Sequence, residues 1–194
     1  MKHLNRTIAL SLTAALLAGG SLVASSAVSL AQEKAVTVGG APMLPSKNIV
    51  ENAVNSKDHT TLVTAVKAAG LVETLSGKGP FTVFAPTNAA FSKLPAGTVE
   101  TLVKPESKQA LTGVLTYHVV SGKLNASDLA AQIKSGGGKA TLKTVAGGSL
   151  TASMEGSKVV ITDAKGGKST VTIADVNQSN GVIHVVDTVL MPAS

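Results

Sequence analysis

The chain has 194 residues with no cysteine, no tryptophan and only four aromatic side chains, which suits one domain and excludes disulfide frameworks, thiolate metal sites and thiol catalysis. Hydrophobic residues make up 44% against 14% charged, a balance that builds a core rather than a disordered chain. The formal charge of +6 falls to +4 over residues 32–194, where the 15 basic residues are all lysine; without arginine forks or stacking aromatics, no nucleic-acid partner is expected.

The first residues have the order of a secretory signal. Lys2 and Arg6 precede an apolar run from Ile8 to Ala24, interrupted by Gly19-Gly20, and small residues lead to Ser29-Leu30-Ala31 before Gln32. This places a cleavable signal over residues 1–31, cut after Ala31, with Ser25-Ser26-Ala27 as a second candidate site. No later segment reaches about 18 unbroken apolar residues, so no membrane insertion is expected after removal. The protein is expected to be exported, periplasmic or extracellular, and its lack of disulfides suits a bacterial exported protein better than an animal one. Residues 32–45 carry Gly39-Gly40, Pro42 and Pro45 without a period and predict a flexible mature leader. One domain is expected over residues 46–192.

From Asn48 the pattern is helical, with Ile49, Val50, Ala53 and Val54 on one face. Asp58 is placed to cap a second helix with Leu62, Val63, Val66 and Ala69 at helical spacing, stopped by Gly70. A further helical turn, Leu71 to Leu75, ends at Gly77-Lys78-Gly79-Pro80. Phe81–Ala85 is a short apolar strand halted by Pro86, and Thr87 or Asn88 is suited to cap a helix through Phe91. Pro95 and Pro105 flank another helical piece. The clearest helix runs from Glu106 to Tyr117, with Ala110, Leu111, Val114, Leu115 and His118 in one stripe.

The second half changes period. Gly136-Gly137-Gly138, Gly147-Gly148, Gly156 and Gly166-Gly167 separate β-prone runs at 140–144, 149–154, 158–162, 170–176 and 182–187. Strands about ten residues apart with glycine turns indicate an antiparallel meander or sandwich. Helices first and strands afterwards make the fold class α+β, with the early strand joining the later sheet. In the last run both faces are apolar, which makes it a central strand with a buried, hydrogen-bonded His184. Gly181, just before it, is placed for a turn needing positive φ.

Catalysis finds no footing. The acids Asp58, Asp128, Asp163, Asp175 and Asp187 are scattered, and His59, His118 and His184 lie far apart. Neither a Gly-x-Ser-x-Gly elbow nor a His-Glu-x-x-His helix occurs. Ser76-Gly77-Lys78-Gly79 lacks the spacing of a phosphate loop and precedes a strand. No catalytic residue, cofactor or metal is therefore expected.

Three segments taken together carry a resemblance: Phe81-Thr82-Val83-Phe84-Ala85-Pro86-Thr87-Asn88-Ala89-Ala90-Phe91, then Leu111 to Val120 centred on Tyr117-His118, then Asn180-Gly181-Val182-Ile183-His184-Val185-Val186-Asp187. Their order and spacing resemble the fasciclin domain over residues 46–192, in particular its small, single-domain bacterial secreted members. The resemblance implies a wedge-shaped β-sandwich with helices packed on one side. It also implies an adhesion or matrix-interaction role, with a cell-surface or matrix protein or polysaccharide as partner and a monomeric domain. In animal members the Tyr-His motif and flanking aliphatics contribute to integrin binding, which by motif match points to Tyr117 and His118 with Leu111, Leu115, Val119 and Val120. Phe84, Pro86, Thr87, Asn88, Phe91, Gly181 and His184 would be its structural motif positions.

Bacteria have no integrins, so fold and partner transfer differently. Its place on an apolar stripe makes His118 a core residue, with the Pro86-Thr87-Asn88 turn as its expected partner, while the resemblance makes it a contact residue. The rival to an adhesion domain is a periplasmic or envelope module that binds polysaccharide or a small apolar ligand.

Overall fold

The structure, a computed structural model, describes residues 34–193; the signal expected over residues 1–31 lies outside them. The segment expected to be a flexible leader is instead a hairpin. Strand β1 (Val36–Val38) pairs antiparallel with β2 (Ala41–Met43), and the turn is made by Gly39 and Gly40, both at positive φ. Val38 and Met43 are 1% exposed and enter the core, which is what holds the segment down. Alternation over three residues is too short to register as a period in the sequence.

Seven α-helices and seven further strands follow among the described residues. The helices are α1 (Ile49–Ala53), α2 (Thr60–Ala69), α3 (Val72–Ser76), α4 (Asn88–Ser92), α5 (Thr98–Leu102), α6 (Lys108–Tyr117) and α7 (Ala126–Ser135). The strands are β3 (Phe81–Pro86), β4 (Val119–Ser121), β5 (Lys139–Lys143), β6 (Ser149–Glu155), β7 (Lys158–Thr162), β8 (Lys168–Gln178) and β9 (Gly181–Val186). No helix among the described residues is long and apolar enough to cross a membrane.

The order β4-β3-β9-β8-β7-β6-β5 confirms the meander of the second half and the joining of the early strand. Strand β3 lies parallel to β9 in full register, Phe84 beside His184. The sheet curls until its two edges meet. Val120 bridges Thr144, and the Val145 N–H donates to the Val119 carbonyl at 2.8 Å. Curling divides the interior in two. Between helices and sheet lie Val83, Ala85, Ile183 and Val185 with Leu62, Val66, Leu111 and Leu115. Inside the curl lie Phe84 and Val186 with Leu150, Ile161 and Leu190, and α7 contributes Leu129 and Ile133. Alternate residues of β3 and β9 thus serve opposite cores, which is why both strands are apolar on both faces.

Local chemistry differs from expectation at three points. Asp58 sits in a 3₁₀ turn, Lys57–His59, and makes no cap. The start of α2 is capped from across the fold: Asn88 Oδ1 accepts from the Thr61 N–H at 3.0 Å, and its amide donates to the Lys57 carbonyl at 2.8 Å. Thr87 caps α4, accepting from the Ala90 N–H at 3.2 Å. Gly181 is not among the positive-φ glycines; a Cβ there would lie 2.0 Å from the Phe81 carbonyl oxygen, so the parallel partner strand excludes any side chain.

Strand β8 is irregular between Val171 and Val176, where Asp175 adopts φ 57. Asp175 Oδ1 receives the Ala126 N–H at 2.6 Å, and the Asp175 N–H donates to His184 Nδ1 at 3.3 Å. The irregularity therefore ties the start of α7 to the central strand, a use of bulges that re-aims one side chain. Asn125 and Asp128 complete the α7 N-terminus as a reciprocal capping box.

Candidate functional site

The helix carrying the Tyr-His pair ends where the two cores meet. Tyr117 and His118 are 1% and 2% exposed, and Leu111, Leu115, Val119 and Val120 are equally buried. In the folded chain none of the six offers contact surface. Tyr117 OH donates to the Ser149 carbonyl at 2.8 Å and accepts from the Ala164 N–H at 3.0 Å, so one hydroxyl joins two turns of the meander. Its ring lies against Gly148, where a Cβ would come within 2.7 Å.

His118 engages both ring nitrogens. Nδ1 donates to the Val114 carbonyl at 2.8 Å, and Nε2 accepts from the Leu190 N–H at 2.9 Å. The partner is thus the chain after β9, not the Pro86-Thr87-Asn88 turn, whose capping groups serve α4 and α2. The link to β3 is made by backbone: the Phe84 N–H donates to the His118 carbonyl at 2.9 Å. One nitrogen donates and the other accepts, so the ring is neutral. Burial pushes its pKa down to about 4, against the smaller opposing pull of the Val114 carbonyl and the Asp163 charge.

His184 holds the opposite tautomer, with Nε2 donating to the Leu124 carbonyl at 2.7 Å and Nδ1 accepting from Asp175. Its ring stacks on Phe84 at 5.7 Å. Burial lowers its pKa, the Leu124 carbonyl and Asp175 acting the other way. His59, also buried, bonds Ser56 Oγ through Nδ1 at 2.9 Å, and its pKa is lowered mainly by burial. Among the described residues its Nε2 has no hydrogen-bond partner. Pro86, Ala90 and Phe91 are buried in the same region.

Asp163 organises its surroundings, a role that its place among the scattered acids of the sequence does not show. Asp163 accepts from the N–H groups of Lys165, Gly167 and Met191, all within 2.9 Å, which fixes the chain beside the His118–Leu190 bond. The run Asp163-Ala164-Lys165-Gly166-Gly167 is a turn signal that could have shown the first two contacts. Met191 could not have been foreseen, because it returns from 28 residues away.

Two recesses differ in character. One, between α1, α2, α3 and the sheet, is lined by apolar side chains and His59 and encloses about 40 Å³. A cavity of about 150 Å³ is what holds a benzene-sized molecule, and this recess encloses less than that. The other is an open polar cleft of about 540 Å³ bounded by Asn48, Ser76 to Pro80, Lys123 and Gln178 to Gly181.

The sequence matches the Fasciclin domain family over residues 57–192, most of the chain. This chain belongs to the fasciclin family. Protein sll1483 of Synechocystis is 50% identical over 160 residues, 82% of each chain. Immunogenic protein MPB70 of Mycobacterium bovis is 37% identical over 145 residues, covering 72% of this chain and 66% of that protein. Transforming growth factor-beta-induced protein ig-h3 of Sus scrofa is 34% identical over 148 residues, though this chain spans only 20% of its length. In structure, the fold matches a FAS1 domain pair from the insect cell adhesion molecule Fasciclin I with a TM-score of 0.68 at 20% identity, over 76% of this chain and 52% of that one.

In this fasciclin domain the Tyr-His pair is positioned as a structural joint. His118→Ala is expected to destabilise by roughly 1–3 kcal/mol, because the Leu190 N–H loses its acceptor and a void opens. Denaturant melts and a surface-binding assay on the same variant check this. A fully stable variant that no longer binds would assign His118 to a contact surface instead.

Proposed function

We propose that this fasciclin-domain protein is an exported, non-enzymatic adhesion or matrix-interaction module that binds macromolecules at the bacterial surface as a monomer. Family membership carries this reading. Among the relatives, MPB83 of Mycobacterium bovis, 35% identical over 145 residues, is described as a cell surface glycolipoprotein, and the structural neighbour as a cell adhesion molecule. A non-catalytic role is supported by the use of both His118 and His184 ring nitrogens in backbone bonds, which leaves neither ring a free nitrogen for proton transfer. The partner surface then belongs to exposed groups outside the Tyr-His motif. Of the two recesses, the polar cleft favours a polysaccharide, and its volume is more than tenfold that of the apolar recess.

Retention on intact envelopes of the native host, with and without prior glycan digestion, tests the proposal. Saturable retention supports it, and its loss after digestion identifies a polysaccharide. No retention on either preparation overturns it. Export is tested separately by the intact mass of the secreted protein, which is expected to begin at Gln32; a mass that retains Met1 to Ala31 would make the chain a tethered display domain.

A further inference from the structure

The polar cleft is built from backbone that is locked in place. Asn180 Oδ1 accepts from the Ile49 N–H at 3.0 Å, and its amide donates to the carbonyls of Leu75 and Gly77 at 2.7 and 2.9 Å. The Asn180 carbonyl accepts from the Phe81 N–H at 3.1 Å. A Cβ on Gly79 would fall 2.0 Å from that same oxygen, so two chain segments touch with no side chain between them. Asn48 Oδ1 is committed to the α1 capping box, accepting from the Glu51 N–H at 2.9 Å. Gln178 is committed to Asn52 and the Val176 carbonyl. These contacts spend the side-chain amides of Asn180 and Gln178 on holding the walls in place.

What remains free is a small set. Lys78 and Lys123 line the cleft, are exposed, and take part in neither of the two ion pairs found among the described residues. Ser76 and Ser179 are exposed there with unspent hydroxyls. Among the described residues no carboxylate lines the cleft; Glu51, beside Asn48, is bound to the Asn48 N–H at 2.8 Å. The Pro80 ring and the glycines Gly77, Gly79 and Gly181 leave apolar patches between these polar groups.

Resting on the surface-binding role proposed above, we infer that this cleft binds a carboxylated sugar unit of an acidic polysaccharide. A uronic acid ring combines one carboxylate for a lysine pair, hydroxyls for the two serines and C–H faces for the proline ring. The volume lies within the roughly 300–1,000 Å³ of small-molecule sites. Walls fixed before binding reduce the ordering cost that weakens a polar site. Because the lysines are exposed, binding weakens as salt rises.

The test titrates short polygalacturonate oligomers into the protein at low salt, followed by amide NMR and calorimetry, with dextran oligomers as the neutral control. Shifts confined to Ser76–Phe81, Lys123 and Gln178–Gly181 are expected, with little response to dextran. The Lys78→Gln/Lys123→Gln double variant is expected to lose about 3- to 10-fold in affinity at unchanged melting temperature, the scale of two exposed charge contacts. A Lys158→Gln/Lys165→Gln variant, altered outside the cleft, is expected to bind as the parent does. Equal binding by the cleft variant, equal binding of dextran, or tighter binding of a single-stranded DNA oligomer would each overturn the inference. If envelopes retain the cleft variant as well as the parent, the cleft assignment falls while the adhesion role stands. If they retain neither, the adhesion role itself falls.

Discussion

Phe84→Ala is expected to lower the unfolding free energy by about 3–5 kcal/mol, the cost of emptying a buried aromatic site that cannot collapse. Phe84 has no exposed surface and belongs to the core inside the curled sheet. Its neighbours are held by backbone pairing on both sides: β3 lies parallel to β9 and antiparallel to β4. Little can therefore move inward to fill the void. The ring also stacks on His184, so its removal takes away packing from an imidazole whose two nitrogens are fixed. Set against a typical net stability of about 5–15 kcal/mol, one substitution would remove a large share. The urea midpoint measures it, with an unchanged slope showing that the unfolded state is not the cause. An unshifted midpoint would mean that the two-core arrangement is wrong at its centre.

Acidification is expected to weaken the fold between about pH 6.5 and pH 4, before most carboxylates protonate. His118 has its pKa lowered from 6.5 to about 4 by burial. Below pH 6.5 the unfolded chain takes up a proton that the folded chain refuses, so stability present above that value is lost as pH falls and levels off below about 4. The size of the shift makes the His118 contribution about 3 kcal/mol. Protonation would also turn Nε2 into a donor facing the Leu190 N–H, two donors with no acceptor between them. His59 and His184 are shifted in the same direction by the same cause and add to the loss. At Asp187 burial acts upward, but the Thr170 N–H, the Thr188 hydroxyl and Lys93 together hold the carboxyl below its usual range, so its loss has the same sign at lower pH. Urea midpoints from pH 8 to pH 3.5 measure the effect, and His118→Gln is expected to flatten part of the slope. Stability that stays level from pH 7 to pH 4 would show that these rings carry no proton-linked energy.

Strong local patterns made most of the fold legible. The α2 and α6 stripes, the glycine-separated meander and the doubly apolar last strand are repeats of period 3.6 or 2 over enough residues to be seen. The β1–β2 hairpin has three residues per strand, and α7 buries only Leu129 and Ile133, so neither carries a period strong enough to read. Burial of His118 followed from its stripe, but its partner did not. Leu190 lies 72 residues away, and nothing local marks a backbone N–H as the group that will meet a ring nitrogen.

The sequence by itself determined the core faces of α2 and α6, the glycine-separated meander of the second half, and that the last strand is apolar on both faces. Those properties reside in side-chain chemistry and short-range spacing, and any compact arrangement must respect them. Only the tertiary structure decided that Asn88 caps a helix other than its own, that Gly181 is required by contact with Phe81 rather than by a turn, and that Lys78 and Lys123 border one cleft. Each is a meeting of segments distant in the chain. The parallel pairing of β3 with β9 and the closure of the curled sheet bring such segments together, and chain-local spacing carries no record of either.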